Sequence, residues 1–281
     1  MIAGDQTVSE LREIAFTAAA RAGEFLATRP DVLEVSTKSS ATDVVTQMDI
    51  GAERIILEVI GQRRPWDTVM SEEGGGLPTP SGQRAAPPPT GVVAHWVIDP
   101  LDGTTNYLYD WPTWSVSIAA QVAGETVVGV VEVPRLGERY WAVHGGGAYR
   151  RDARGEHRLH VSPATDLSLA LVCTGFGYTA DRRAEQGRVV ADLLSGVRDL
   201  RRGGSAAIDL AFVACGRLDA FFERGLNAWD HAAGALLVRE AGGVVSGLGG
   251  DAESERMLIA SAPGLHGQIC SLLDGIISPT R

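Results

Sequence analysis

The sequence predicts an α+β fold of packed layers. Three observations carry this: a long amphipathic opening helix, apolar strand runs ending in acidic residues, and strands and helices in irregular order. That order argues against a barrel or a doubly wound sheet, and no internal repeat is evident. With 281 residues the chain can bury a substantial core. It reads as one domain, with an N-terminal α+β half over about 1–150 and a C-terminal α/β half over about 151–281.

Val8, Leu11, Ile14, Ala15, Ala18, Ala22, Phe25 and Leu26 follow a helical period, with Thr7 or Ser9 as caps and Pro30 as the stop. A second helix is expected from near Asp49 through Ile55, Ile56, Val59 and Ile60. Val69 and Met70 form a short strand that delivers Ser71, Glu72 and Glu73 to its end. Residues 74–91 then hold five Gly and five Pro in eighteen positions, the composition of a flexible surface loop. Trp96, Val97 and Ile98 make an apolar strand ending at Asp99. Residues 114–122 and 126–133 read as neighbouring strands joined by a turn at Gly124-Glu125. Further strands are expected near 169–174 and 218–222, and helices at 184–194, 206–215 and 232–241.

Composition narrows the function. Lys and Arg total 25 against 35 Asp and Glu, a formal charge of −10, so no direct nucleic-acid partner is expected. An acidic chain can still take an anionic substrate if metal ions reverse the charge where its carboxylates cluster. Cys173, Cys215 and Cys270 give no disulfide framework and no zinc pattern. Residues 8–26 include Glu10, Arg12, Glu13, Arg21 and Glu24, so they are neither a membrane span nor a signal core. A soluble, cytoplasmic protein without a membrane partner is the expectation.

The densest chemical signal is Asp99-Pro100-Leu101-Asp102-Gly103-Thr104-Thr105-Asn106. Asp99 and Asp102, with the Leu101 carbonyl, can converge on hard divalent cations such as Mg2+, which take oxygen ligands. Gly103 admits a phosphate close to the backbone, and the N–H groups of Gly103 and Thr104 can point at it if a helix starts there. The alternative is an acidic turn in which Thr104 or Asn106 caps a helix.

Glu72-Glu73 can reach the same metals if the two strands are neighbours. Asp230, in Trp229-Asp230-His231-Ala232-Ala233-Gly234, opens an apolar helix, where it also reads as a cap. The stretch from Asp43 to Asp49, preceded by Lys38, supplies a fourth acidic motif, and Thr46 and Asp49 also read as helix-entry residues. Gly203-Gly204-Ser205-Ala206 precedes another apolar helix, and Glu223 ends a strand, within reach of a polyol.

With these motifs in order, the chain resembles the inositol monophosphatase family of the lithium-sensitive, magnesium-dependent phosphatases. The resemblance covers nearly the whole chain and implies a layered αβαβα sandwich. It implies that Glu72, Asp99, Leu101 (through its carbonyl), Asp102 and Asp230 bind about two to three Mg2+. Thr104, Asp49 and Glu72 then form the catalytic set: Thr104, backed by Asp49, orients the attacking water, and Glu72 helps hold a third ion. Asp102, Gly103, Thr104, Ala206, Glu223 and Asp230 contact the substrate, and a homodimer is expected.

The same resemblance leaves several substrates open. Inositol monophosphate ranks first, because no basic pocket is evident in the sequence; a sugar bisphosphate such as fructose 1,6-bisphosphate and histidinol phosphate follow. A regulatory role with the transcription machinery is a further reading.

Overall fold

The computed structural model describes residues 4–38, 40–75 and 91–277. The expected loop at 74–91 lies mostly outside them. Along the first half run α1 (Asp5–Ala27), β1 (Val35–Thr37), β2 (Val44–Thr46), α2 (Gln47–Arg63), β3 (Thr68–Ser71) and β4 (His95–Asp102). Then come α3 (Thr104–Leu108), β5 (Ser115–Val122), β6 (Glu125–Val133), β7 (Glu138–Val143), β8 (Gly147–Asp152) and β9 (Gly155–Arg158). The second half holds β10 (Leu171–Thr174), α4 (Ala180–Leu193), β11 (Asp199–Arg201), α5 (Ala206–Ala214) and β12 (Ala220–Glu223). It closes with α6 (Ala228–Glu240), β13 (Val244–Ser246), β14 (Leu258–Ser261) and α7 (Pro263–Ile277).

Among the described residues, β3 to β9 form a seven-stranded sheet in sequence order, and a five-stranded sheet has the order β11-β10-β12-β14-β13. The first sheet extends through β9, so the two sheets divide beyond Arg158, somewhat past the boundary expected near residue 150.

Strand alternation sorts the side chains into three cores. Trp96, Ile98, Val116 and Ile118 face α1 and α2. Val97, Ala119 and Val131 face the opposite way, meeting α5 and α6, which are covered from beyond by Phe221 and Ala260 of the second sheet. The far face of that sheet, with Val172, Phe222 and Ile259, packs on α7 residues Leu265, Ile269 and Leu273. Helices and sheets therefore alternate as αβαβα.

The opening helix buries the predicted stripe, including Leu11, Ile14, Ala18 and Leu26. Its start differs from the expectation: Gly4 is the cap, without a side-chain hydrogen bond, and Thr7 is buried inside the helix. Close packing between layers needs glycine at one point. A Cβ on Gly129 in β6 would stand 2.8 Å from the Ala233 carbonyl oxygen of α6. This contact fixes how near α6 lies to the first sheet, and α6 carries Asp230.

Candidate active site

The site is built where β4 loses its regular alternation. Asp99 pairs with Ser117 and Asp102 with Ser115, so β4 spends one residue more than β5 over this stretch, the signature of a bulge. In a regular strand residues three apart face opposite ways. Here Ile98 and Leu101 both join the α1–α2 core, which leaves Asp99 and Asp102 on the same side, toward the space between the sheets.

β3 pairs parallel to β4, with Ser71 opposite Ile98, and the Glu72 N–H donates to the Ile98 carbonyl at 3.2 Å. The neighbouring strands that the sequence argument required are thus present, and Glu72 comes alongside Asp99. Burial, then the charges of Glu72, Asp102 and Asp230, hold the Asp99 carboxyl well above the usual carboxylate range.

Gly103 ends the bulge with φ +93°, a left-handed turn that glycine adopts freely. It starts α3, whose first residue is Thr104. The Thr104 hydroxyl lies 2.9 Å from Asp49 Oδ1 and 3.1 Å from the Leu101 carbonyl oxygen. Asp49 Oδ2 accepts from the Thr46 N–H at 2.8 Å and from its hydroxyl at 2.6 Å, closing the capping box of α2. The helix-entry reading of Thr46 and Asp49 therefore holds, and Asp49 turns its other oxygen to Thr104. Burial raises the Asp49 pKa, against the pull of these donors.

Asp102 faces the N-terminus of α5. Its Oδ2 accepts from Ser205 Oγ at 2.5 Å and from the Ala207 N–H at 2.8 Å, where the helix dipole favours negative charge. Burial still pushes it up to about 6. Asp230 lies in the first turn of α6 and closes a capping box with Asn227, whose N–H it accepts at 2.6 Å. Burial and the charge of Asp102 raise its carboxyl well above the usual range.

These elements surround a cleft of about 340 Å3. Glu72, Asp102, Gly103, Ala206, Glu223 and Asp230 line it, while Asp99, Leu101, Asp49 and Thr104 are buried and do not. Glu223, at the end of β12, is pushed up to about 8, first by burial and then by Asp209. A Cβ on Gly175 would run into the Glu223 carboxylate, so that glycine makes the room Glu223 occupies.

Three sets of cleft residues escaped the sequence argument. Asp209, buried in α5 and pushed up to about 7 by burial, is the lone charge in an apolar helix, which was a usable signal. Lys38 Nζ stands 2.9 Å from Glu72 Oε1 and 2.5 Å from Glu73 Oε1. Arg182, Arg202 and Arg224 also line the cleft. Four basic side chains thus stand among seven carboxylates in the cleft lining; the arginines come from α4 and from two loops, and only folding assembles them.

A divalent cation fits this donor set in charge and in chemistry. The carboxylates supply hard oxygen donors, burial and then neighbouring carboxylate charge raise the pKa values of Asp99 and Asp230, and the Lys38 ammonium already stands as a cation against Glu72. In their present rotamers, however, no three acidic, histidine or cysteine side chains among the described residues draw together tightly enough to hold a metal ion. Glu72, Asp102 and Asp230 thus line one cleft, and the buried Asp99 is joined to them by electrostatics, short of a closed ligand shell.

Residues 7–278 match the model of the inositol monophosphatase family. The chain belongs to that family. It is 40% identical to the inositol-1-monophosphatase SuhB of Mycobacterium tuberculosis, over 96% of this chain and 95% of that protein. It is 44% identical to the Nus factor SuhB of Escherichia coli K12, over 83% of each. The crystal structure of the extragenic suppressor protein suhB from Bartonella henselae superposes with a TM-score of 0.82 at 33% identity, covering 94% of this chain and 98% of that one. Family membership supports phosphatase activity on this fold and agrees with the αβαβα layering. No helix among the described residues is long and apolar enough to cross a membrane.

Proposed function

We propose that the chain hydrolyses a small phosphate monoester in a Mg2+-dependent reaction, with myo-inositol monophosphate as the first substrate. The observation that carries this reading is the buried Thr104–Asp49 hydrogen bond of 2.9 Å, together with the cleft carboxylates Glu72, Asp102 and Asp230 coupled to the buried Asp99.

Glu72, Asp99, the Leu101 carbonyl, Asp102 and Asp230 would hold about two to three Mg2+, which when bound make water more acidic and offset charge on the phosphoryl oxygens. Thr104 has one proton to donate, and the Asp49 carboxylate is its stronger acceptor. The lone pairs of Thr104 Oγ1 are then free to accept from water and so orient that water toward phosphorus. Asp49 is itself held by two donors from Thr46, so the pair is preorganised. The N–H groups of Gly103 and Thr104 receive the phosphate, since the first turn of a helix leaves them without intrahelical acceptors. Ala206, Glu223 and Asp230 face the alcohol. Glu223, largely protonated at neutral pH, can both donate to and accept from a hydroxyl.

Phosphate release from inositol 1-phosphate, followed with Mg2+ and again after chelation, tests the reading. Release that needs Mg2+ supports it; none from any small monoester in the presence of Mg2+ rejects it. A homodimer belongs to the same reading and is measured by sedimentation velocity.

A second reading, association with the transcription machinery, is favoured by the 44% identity to a Nus factor. Co-sedimentation of Asp102→Asn protein with RNA polymerase would reveal a binding role that does not need turnover.

A further inference from the structure

Asn106 reads in the sequence as a cap for a helix, but Gly103 takes that place in α3 and the Asn106 amide is used elsewhere. Its Nδ2 carries two protons and donates to the Thr113 carbonyl at 2.6 Å and to the Gly203 carbonyl at 3.0 Å. The Thr113 hydroxyl donates to the same Gly203 carbonyl at 3.2 Å. Ser115, the first residue of β5, places its Oγ 3.2 Å from Ser205 Oγ, and both serines are buried. These bonds tie residues 103–115 of the first half to the loop 203–205 that leads into α5.

The backbones at this junction lie close. A Cβ on Gly204 would stand 2.7 Å from Asn106 Nδ2, and a Cβ on Gly103 would stand 3.1 Å from the Thr113 carbonyl oxygen and 3.2 Å from that of Gly204. Proton bookkeeping then gives the bonds a direction. Ser205 has one hydroxyl proton, and the Asp102 carboxylate at 2.5 Å is its stronger acceptor. Ser115 therefore donates to Ser205, which also accepts the Ile208 N–H at 3.2 Å as the cap of α5. Whatever fixes the loop fixes Ser205, and Ser205 holds the Asp102 oxygen turned toward α5.

The simplest role for these bonds is to hold two layers together. Their placement argues for more. Gly103, Gly204, Ser205 and Ala206 line the cleft, whereas Asn106, Thr113 and Ser115 do not, so the polar groups stand directly behind the cleft wall. A hydroxyl as buried as that of Ser115 is costly unless it is paired, and its one bond leads through Ser205 to Asp102.

We propose that Asn106 and Ser115 are positioning residues for divalent-metal binding. They fix the 203–205 loop, and through Ser205 they set the orientation of the Asp102 carboxylate. This rests on the reading of Asp102 as a metal ligand.

The test is calorimetric titration of Mg2+ into metal-free wild type, Asn106→Leu and Ser115→Ala protein, with the Tm of each. Leucine keeps the outline of Asn106 and removes both donors. Mg2+ should bind about tenfold more weakly to Asn106→Leu, as for loss of a group that orients a ligand. The loss in Ser115→Ala should be about threefold, the lower end for one hydrogen bond. Gln268→Leu is the control. Its amide bridges the Thr165 and Gly264 carbonyls at 2.8 and 2.9 Å, beside α7 and beyond the second sheet. That variant should lose stability while its Mg2+ affinity stays within about twofold of wild type.

In a Ser205→Ala background, Asn106→Leu and Ser115→Ala should each add less than about twofold, because their effect passes through Ser205. Wild-type Mg2+ affinity in both single variants, whatever their Tm, overturns the positioning role and leaves the metal reading standing. A full additional loss in the Ser205→Ala background overturns it too. Absence of Mg2+ binding in wild type rejects the metal reading, and the proposal falls with it. Should Asn106→Leu fail to fold, Ser115→Ala and its cycle with Ser205→Ala decide.

Discussion

Thr104 Oγ1 and Asp49 Oδ1, 55 residues apart in sequence, stand 2.9 Å from each other in the buried interior, with Gly103, the residue before Thr104, lining the cleft. The bond joins the first turn of α2 to the first turn of α3, so two helix starts that each looked like simple capping sites meet as one hydrogen-bonded pair.

Thr104→Val keeps the shape and removes the hydroxyl. Turnover should fall about 10²- to 10⁴-fold, the range for losing a positioned proton acceptor, while stability drops by about 1 kcal/mol for one hydrogen bond. Asp49→Asn keeps an acceptor for Thr46 but turns an amide donor toward Thr104, occupying the lone pair that water needs. It should lose turnover to a similar degree with little change in the urea midpoint. Stopped assays alongside urea titration check both, and retained turnover in either variant would remove the pair from the mechanism.

Asp102 is held by Ser205 and Ala207 yet pushed up to about 6 by burial. Asp102→Asn can keep an oxygen toward the start of α5 and removes one member of a repelling cluster. The metal-free variant should therefore melt no lower than the wild type while losing nearly all turnover. A large fall in Tm would show that the carboxylate serves the fold first.

The cluster also sets a pH dependence. An acid whose native pKa exceeds its unfolded value near 4 binds its proton more tightly when folded. Its stabilising contribution is complete below the unfolded pKa and is lost as pH rises through the native one. With Asp102 at about 6, Asp209 at about 7 and Glu223 at about 8, the metal-free protein should lose stability between about pH 6 and 8. Added Mg2+ should raise Tm more at pH 8 than at pH 6, since ions bind the deprotonated carboxylates. Scanning calorimetry at the two pH values decides, and a Mg2+ effect larger at the lower pH would contradict the assignment.

Gly129→Ala would place a Cβ 2.8 Å from the Ala233 carbonyl oxygen and 2.9 Å from its Cα. It should cost about 1–3 kcal/mol by overpacking and displace α6, raising KM through Asp230. An unchanged denaturation midpoint would show that the two layers have slack at this contact.

Sequence legibility followed signal strength. The α1 stripe was legible because it buries a regular apolar period, and the β5–β6 hairpin because two mostly apolar runs, buried on both faces, flank a Gly124 turn. Strands β7 to β9 were not, because Arg139, Arg150, Arg151 and Arg158 interrupt their apolar residues in the edge half of the sheet. Helix α7 opens with Pro263-Gly264 and holds Gly267 and Gly275, which weaken its helical signature although Leu265, Ile269 and Leu273 are buried. Each acidic motif was legible because it ends an apolar run or opens a helix. Lys38 was not read as a counter-ion, since its contact with Glu72 spans 34 residues. The arginines of the cleft were missed for the same reason.

The central claim is that carboxylates from separate elements hold divalent metal together. Calorimetric titration of Mg2+ into metal-free wild type and Asp99→Asn protein, at pH 8 and without substrate, addresses it most directly. Saturable binding in the wild type, weakened at least about tenfold in the variant by loss of one shared ligand, is the predicted result. Equal binding in the two proteins, or none in the wild type, would contradict the account.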